Sequence, residues 1–221
     1  MTPLLSLMRL VSPALPVGGY CYSRGLEQAV ETGAVRDEAS ASDWIQALLT
    51  RSLARVDAPI LARMHHAFRD ADTSEVTRLS QLLLALRESS ELIAEDRNMG
   101  EALGRLLIDL GHDSARSWIQ KPSTSFVTLF ALTSWEWGIT DVDAVAGYLF
   151  VTCESQMSAA VRLIPLGQTA GQRLLQHLST RIPAVVQSAM ELAEEDFGGF
   201  MPGLAMASAH HEEQYSRLFR S

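Results

Sequence analysis

The sequence predicts an all-α fold, a single-domain bundle of roughly eight to ten helices. Three observations carry that reading. Apolar residues recur at i, i+3 and i+4 along most of the chain, period-two alternation is nowhere sustained, and glycine, proline or capping residues stand where the apolar stripes stop. Trp44, Ile45, Leu48, Leu49, Leu53 and Val56 form the first stripe, after a cap at Ser42, and Pro59 suits the first turn of the next helix. Leu79, Leu82, Leu83 and Leu86 make another stripe. Leu92, Met99, Leu103, Leu106, Leu107 and Leu110 then run to Gly111, which reads as a C-terminal stop. A helix over 123–137 ends at Gly138, and Asp141 caps a long pattern through Tyr148, Leu149, Val151 and Val161 to Ile164, closed by Pro165. Further helices are predicted over 167–178, 183–195 and 205–215. The stretch 198–203 contains three glycines and a proline, so one domain is expected over 1–221, with 198–221 a flexible connection and C-terminal docking segment.

At 221 residues the chain is long enough to bury a sizeable core. A net charge of -8 argues against nucleic-acid and anionic-membrane partners, which need a basic face. Cys21 and Cys153 form no Cys-x-x-Cys pair and are too few for a disulfide framework, so a reducing compartment is the default. No run approaches the ~18 apolar residues of a membrane span. Residues 1–10 lack a sustained apolar h-region and a cleavage site, and the expectation is a soluble cytoplasmic protein.

The segment 12–27 carries two prolines, three glycines and two tyrosines, with one carboxylate, Glu27, and no histidine. Proline fixes φ and glycine permits positive φ, so this is a shaped loop that presents its tyrosines for contact. Catalysis finds little to work with. A Gly-x-Ser-x-Gly elbow and a cysteine-protease signature are both absent, and the glycines at 18–19 and 167–171 do not spell a phosphate-binding loop. The chain is expected to be no enzyme and to bind no GTP itself; residues 167–171 read instead as a tight turn between helices. His65-His66 and His210-His211 are adjacent pairs, and neighbours on a helix point about 100° apart, so neither is an i, i+4 chelate and no metal site is predicted. His210-His211, beside Glu212 and Glu213, reads as a solvated helix start. In the tail, Tyr215, Leu218 and Phe219 are anchors at i, i+3 and i+4, with Arg217 and Arg220 as donors. The alternative is a last helix packed on its own bundle. Trp135 and Trp137 cannot share a helix face, so one is expected in the core.

Four stretches, the 12–27 loop, 95–100 (Glu95-Asp96-Arg97-Asn98-Met99-Gly100), 158–175 with its Leu163-Ile164-Pro165-Leu166-Gly167-Gln168 core, and the tail 210–221, together resemble the UreF family of urease accessory proteins. The resemblance runs in order from about Leu10 to Ser221. It implies a helical, homodimeric, non-enzymatic urease maturation factor that bridges UreD (UreH in some organisms) and the GTPase UreG. Such a factor couples GTP hydrolysis to nickel delivery into apo-urease. It implies no cofactor of the chain's own, since nickel is handled only transiently and GTP is bound by UreG. Position by position, Tyr20 and Arg217 match residues implicated in holding UreG, and Arg162 matches a basic position on the same face. Tyr215, Leu218, Phe219 and Ser221 fall in the segment that orders against UreD. Cys21, Tyr22 and Arg24 depart from the commoner family residues without removing a proposed contact. The alternative reading is a direct nickel-binding metallochaperone, which would need converging histidines that the spacing does not provide.

Overall fold

The computed structural model describes residues 1–119, 121–199 and 201–220. Its helices are α1 (Pro3–Leu10), α2 (Leu26–Glu31), α3 (Glu38–Ala47), α4 (Asp57–Arg69), α5 (Thr73–Ala85), α6 (Ser90–Asp109), α7 (Arg116–Ile119), α8 (Phe126–Glu136), α9 (Asp141–Leu163), α10 (Gln168–Ser179), α11 (Ile182–Glu191) and α12 (Pro202–His211). No strand occurs among the described residues, in line with the predicted all-α class. None of the described helices is long and apolar enough to cross a membrane.

Side-chain caps set several helix starts. Ser89, Ser125 and Thr140 accept the backbone N–H of Leu92, Thr128 and Asp143 at the starts of α6, α8 and α9. Asp37, rather than the expected Ser42, caps α3 through a reciprocal box with Ser40, and Thr140 rather than Asp141 caps α9. Gly111 and Gly138, at φ +89° and +69°, end their helices in the left-handed region as their positions predict. The short helices α1, α2 and α7 lie outside the predicted stripes, because segments of eight residues or fewer carry too little periodicity to read.

At the centre is α8, buried at every residue from Phe126 to Ser134, with α4, α6 and α9 packed around it. A β-carbon on Gly100 would lie 2.5 Å from the Ser125 carbonyl carbon, so this glycine lets α6 meet the start of α8 backbone to backbone. Gly171 acts in the same way, since a β-carbon there would meet Val161 at 2.8 Å and Met157 at 2.9 Å. The expected tight turn therefore belongs to Pro165, while Gly171 sits inside α10 and permits its approach to α9. Neither Trp135 nor Trp137 is core. Trp135 is exposed and stacked on Phe68, and half-buried Trp137 lies beneath the Arg9 guanidinium.

The core also carries charge. Arg87, just beyond α5, clasps Asp57 of α4 with two hydrogen bonds of 2.9 and 2.8 Å and bonds Asp96 of α6 through Nε. The buried Tyr148 hydroxyl of α9 donates to Asp57 at 2.6 Å, and Arg24 bonds Glu95 at 2.7 Å beside them. Burial pushes the Asp57 carboxyl up, but the Arg87 charge and hydrogen bonds, with Arg24 and Tyr148, outweigh it and hold the group at about 2. For Asp96 burial prevails, leaving it above the ordinary carboxylate value against the pull of Arg87.

Candidate docking surface

The 12–27 loop is fastened to the helix behind it. Gly18, at φ +75°, turns the chain into a single 3-10 turn over Gly19–Cys21, where the Tyr20 hydroxyl donates to Glu154 of α9 at 2.8 Å. Ser155, the next residue of α9, donates to the Gly19 carbonyl at 3.0 Å. Partial burial, and then the hydrogen bond and charge of Glu154, push the Tyr20 hydroxyl upward, so it stays a donor. Beyond the turn, Arg24 and Gly25 both adopt positive φ, +50° and +74°. Arg24, the unusual non-glycine residue in that region, is held there by its buried bond to Glu95, and the chain leaves this corner directly into α2.

The tail docks on α2 and α6. Glu27 accepts the backbone N–H of Leu218 at 2.7 Å and of Phe219 at 2.9 Å. Glu91, in the first turn of α6, accepts from Arg217 at 3.1 Å. Between these carboxylates lies the fully buried His211, the last residue of α12, with Nε2 3.1 Å from Glu27 and Nδ1 3.0 Å from both oxygens of Glu91. The Arg220 N–H donates to the Cys21 carbonyl at 2.8 Å, joining tail to loop. His211 is thus the buried end of a helix, not part of a solvated helix start. Sequence reasoning missed it because its partners lie 120 and 184 residues away.

The described residues among those singled out from the sequence lie on the loop, on α9 and in the tail. Tyr20 is half-buried against α9, and Arg162, near the far end of α9, holds its guanidinium 6.0 Å from the Phe219 ring centroid. Phe219 is buried, whereas Tyr215, Leu218 and Arg217 are exposed. Ser221 lies outside the described residues. The described residues beyond α12 are not helical, so Tyr215, Leu218 and Phe219 do not share a helix face as their spacing suggested. Phe219 turns inward as the tail's anchor and the other two project outward. Glu27 was visible as the lone carboxylate of its loop, the one signal that could have found the clamp.

The histidines just described and those of the far side are committed to hydrogen bonds. His65 faces the Ile139 carbonyl at 2.9 Å, His66 faces Asp141 at 2.6 Å, and His112 accepts from Trp137 at 3.3 Å. No group of three or more histidine, cysteine or acidic side chains placed to hold a metal occurs among the described residues. The arrangement offers backbone edges, aromatic and apolar projections and guanidinium donors, the chemistry of a protein-binding face.

Comparison with known proteins agrees with that chemistry. A family model for UreF matches residues 35–179. The chain is 47% identical to the urease accessory protein UreF of Alkalilimnicola ehrlichii, over 97% of this chain and 94% of the relative. It is 48% identical to UreF 2 of Brucella anthropi over 99% and 96% of the two chains, and 47% identical to UreF of Azoarcus sp. over 99% and 96%.

Proposed function

The chain belongs to the UreF family of urease accessory proteins, and we propose that it serves urease maturation as a bridge without chemistry of its own. In this reading it holds UreD (UreH) and the GTPase UreG together and couples GTP hydrolysis to nickel delivery into apo-urease, acting in the cytoplasm as a homodimer. The observation that supports the reading is the junction of loop and tail: the Arg220 N–H bonds the Cys21 carbonyl, next to Tyr20, and the Arg162 guanidinium lies 6.0 Å from the Phe219 ring centroid. In this reading, residues that the family resemblance assigns to different partners act from neighbouring parts of the chain. Tyr20, Arg162 and Arg217 would meet UreG, while Tyr215, Leu218 and the end of the tail would meet UreD. No cofactor is required on the chain itself, with nickel passing only transiently and GTP held by UreG.

Reconstitution tests the reading. With UreD, UreG, nickel, GTP and apo-urease, the purified chain should co-purify with both accessory proteins and be required for efficient activation, yet bind no GTP alone. Arg162→Ala should lower activation, or leave GTP turnover uncoupled from it, without moving the melting temperature. Activation that proceeds equally well without the chain would contradict the bridge, and tight stoichiometric nickel binding by the isolated chain would favour a metallochaperone instead.

A further inference from the structure

We propose that the cleft between the 12–22 loop and α9 is a binding site for a small hydrogen-bonding molecule, water itself, which Gln156 holds at the floor and which ties the loop to the bundle. The cleft has a volume of about 40 Å³. One water needs about 10–15 Å³ of such space, so there is room for about two or three. Leu10, Met99 and Phe126 give the cleft a buried apolar floor, while Leu15, Val17 and Val151 stand half-buried around it.

One polar group decides between a wet cleft and a dry one. Gln156, in α9, lines the cleft with only 1% of its surface exposed, and its Oε1 meets no hydrogen-bond donor among the described residues. A buried acceptor left in that state is costly, whereas a purely apolar cavity stays dry. Three hydroxyls share the lining. Thr152 and Ser155 direct their hydrogens to the carbonyls of Tyr148 and Gly19, so both keep lone pairs for a water. The Tyr22 hydroxyl accepts from Asn98 at 3.3 Å and keeps its own hydrogen to give. A water can therefore accept from Tyr22 and donate to Gln156 and to one of the α9 hydroxyls, the number of bonds usual for a buried water. The buried Arg24–Glu95 ion pair forms another part of the wall, and a charged pair withdrawn from bulk solvent gains from polar neighbours.

Through this site the loop is joined to α9 a second time. Gly19 and Tyr22 belong to the loop, and Ser155 and Gln156 to the helix. The water therefore acts beside the direct bonds of Tyr20 to Glu154 and of Ser155 to Gly19. The loop rests on a hydrogen-bonded seat as well as on packed side chains, and Gln156 is a positioning residue for it.

The test uses the full chain and two probes, water and xenon. Nuclear magnetic resonance should show cross-relaxation from water to the Met99 methyl and the Gln156 side-chain amide. Xenon gas should leave the Met99 and Val151 methyl signals unmoved, because a hydrated polar site excludes it. Gln156→Met keeps the side-chain length and removes the acceptor. In that variant the water contacts should vanish and xenon should shift both methyls. The Cys21 and Tyr22 amides, which bond the Gly18 and Gly19 carbonyls, should exchange about tenfold faster. The readings on the unaltered protein decide the site by themselves should the variant not fold. Absent water contacts or xenon-shifted methyls in the unaltered protein, water contacts that persist in Gln156→Met, or loop amides that exchange there as before, would overturn the proposal.

Discussion

Two clusters of buried charge hold this chain together, and they differ in what carries the positive charge. The inner one joins α4, α6 and α9 through Arg87, Asp57, Asp96 and Tyr148. Its cation is a guanidinium that does not titrate in proteins, the Asp57 carboxyl is held at about 2, and burial, then the Asp57 charge, push Tyr148 well above its ordinary value. The outer one joins α2, α6 and the tail through His211, whose ring nitrogens face both Glu27 and Glu91, and its guanidinium, Arg217, is exposed. The inner cluster ties helix to helix inside the core, and the outer one ties the tail to the helices behind it.

The largest effect should come from breaking the inner cluster. Arg87→Met would leave Asp57 and Asp96 buried without their cation, and urea denaturation should show a loss of about 3–5 kcal/mol. A loss under about 1 kcal/mol would mean that the cluster is incidental to the fold. Gly100→Ala should cost nearly as much, about 3 kcal/mol, because the new methyl meets Ser125 backbone atoms that cannot swing aside. Since α6 carries Glu91 as well as Asp96, hydrogen exchange in this variant should also rise at the Leu218 and Phe219 amides, as it would if the two clusters share a frame.

Acid should distinguish the clusters next. The Asp57 carboxyl lies below its unfolded value, so its contribution is present above about pH 4 and is lost as pH falls toward 2, amounting to about 2 kcal/mol. Asp96, raised by burial, contributes with the opposite sign. Comparison with Asp57→Asn isolates the first contribution: the variant's unfolding free energy should fall less steeply over that window. The smallest effect belongs to the loop. Tyr20→Phe removes one hydrogen bond at a half-buried site, so stability should drop by about 1 kcal/mol or less. A larger fall would make Tyr20 part of the core instead of a contact residue.

Much of the scaffold was legible because burial along a helix leaves a periodic trace. The stripe from Leu92 to Leu107 and the stops at Gly111 and Gly138 appear where their spacing places them, whereas the stripe from Trp44 to Val56 is largely buried but divided, since α3 ends at Ala47 and Leu48–Leu53 winds as a π-helix. The clusters left no such trace. Asp57 and Glu91 are charged residues that an apolar stripe does not count, although they fall in register with Leu53 and Met99, and Arg24 meets Glu95 across 71 residues of chain, a pairing that no local pattern encodes. The tail misled for a related reason: Tyr215, Leu218 and Phe219 have helical spacing, but the chain beyond His211 is tied to Glu27 by its backbone and cannot coil. The family resemblance pointed to the loop, 95–100 and the tail as separate stretches; folding brings Glu27 and the tail together, and joins the loop to 95–100 through Arg24 and Glu95.

If loop and tail make one partner-binding face, amide hydrogen exchange of the full chain, free and in complex with UreD and UreG, should show new protection at 18–21, around Arg162 and through 215–220. Tyr20→Ala and Arg217→Ala should weaken UreG recruitment while the UreD complex survives. Protection confined to the exposed Leu110 and Trp135, with the loop and tail exchanging as in the free chain, would mean that partners bind elsewhere.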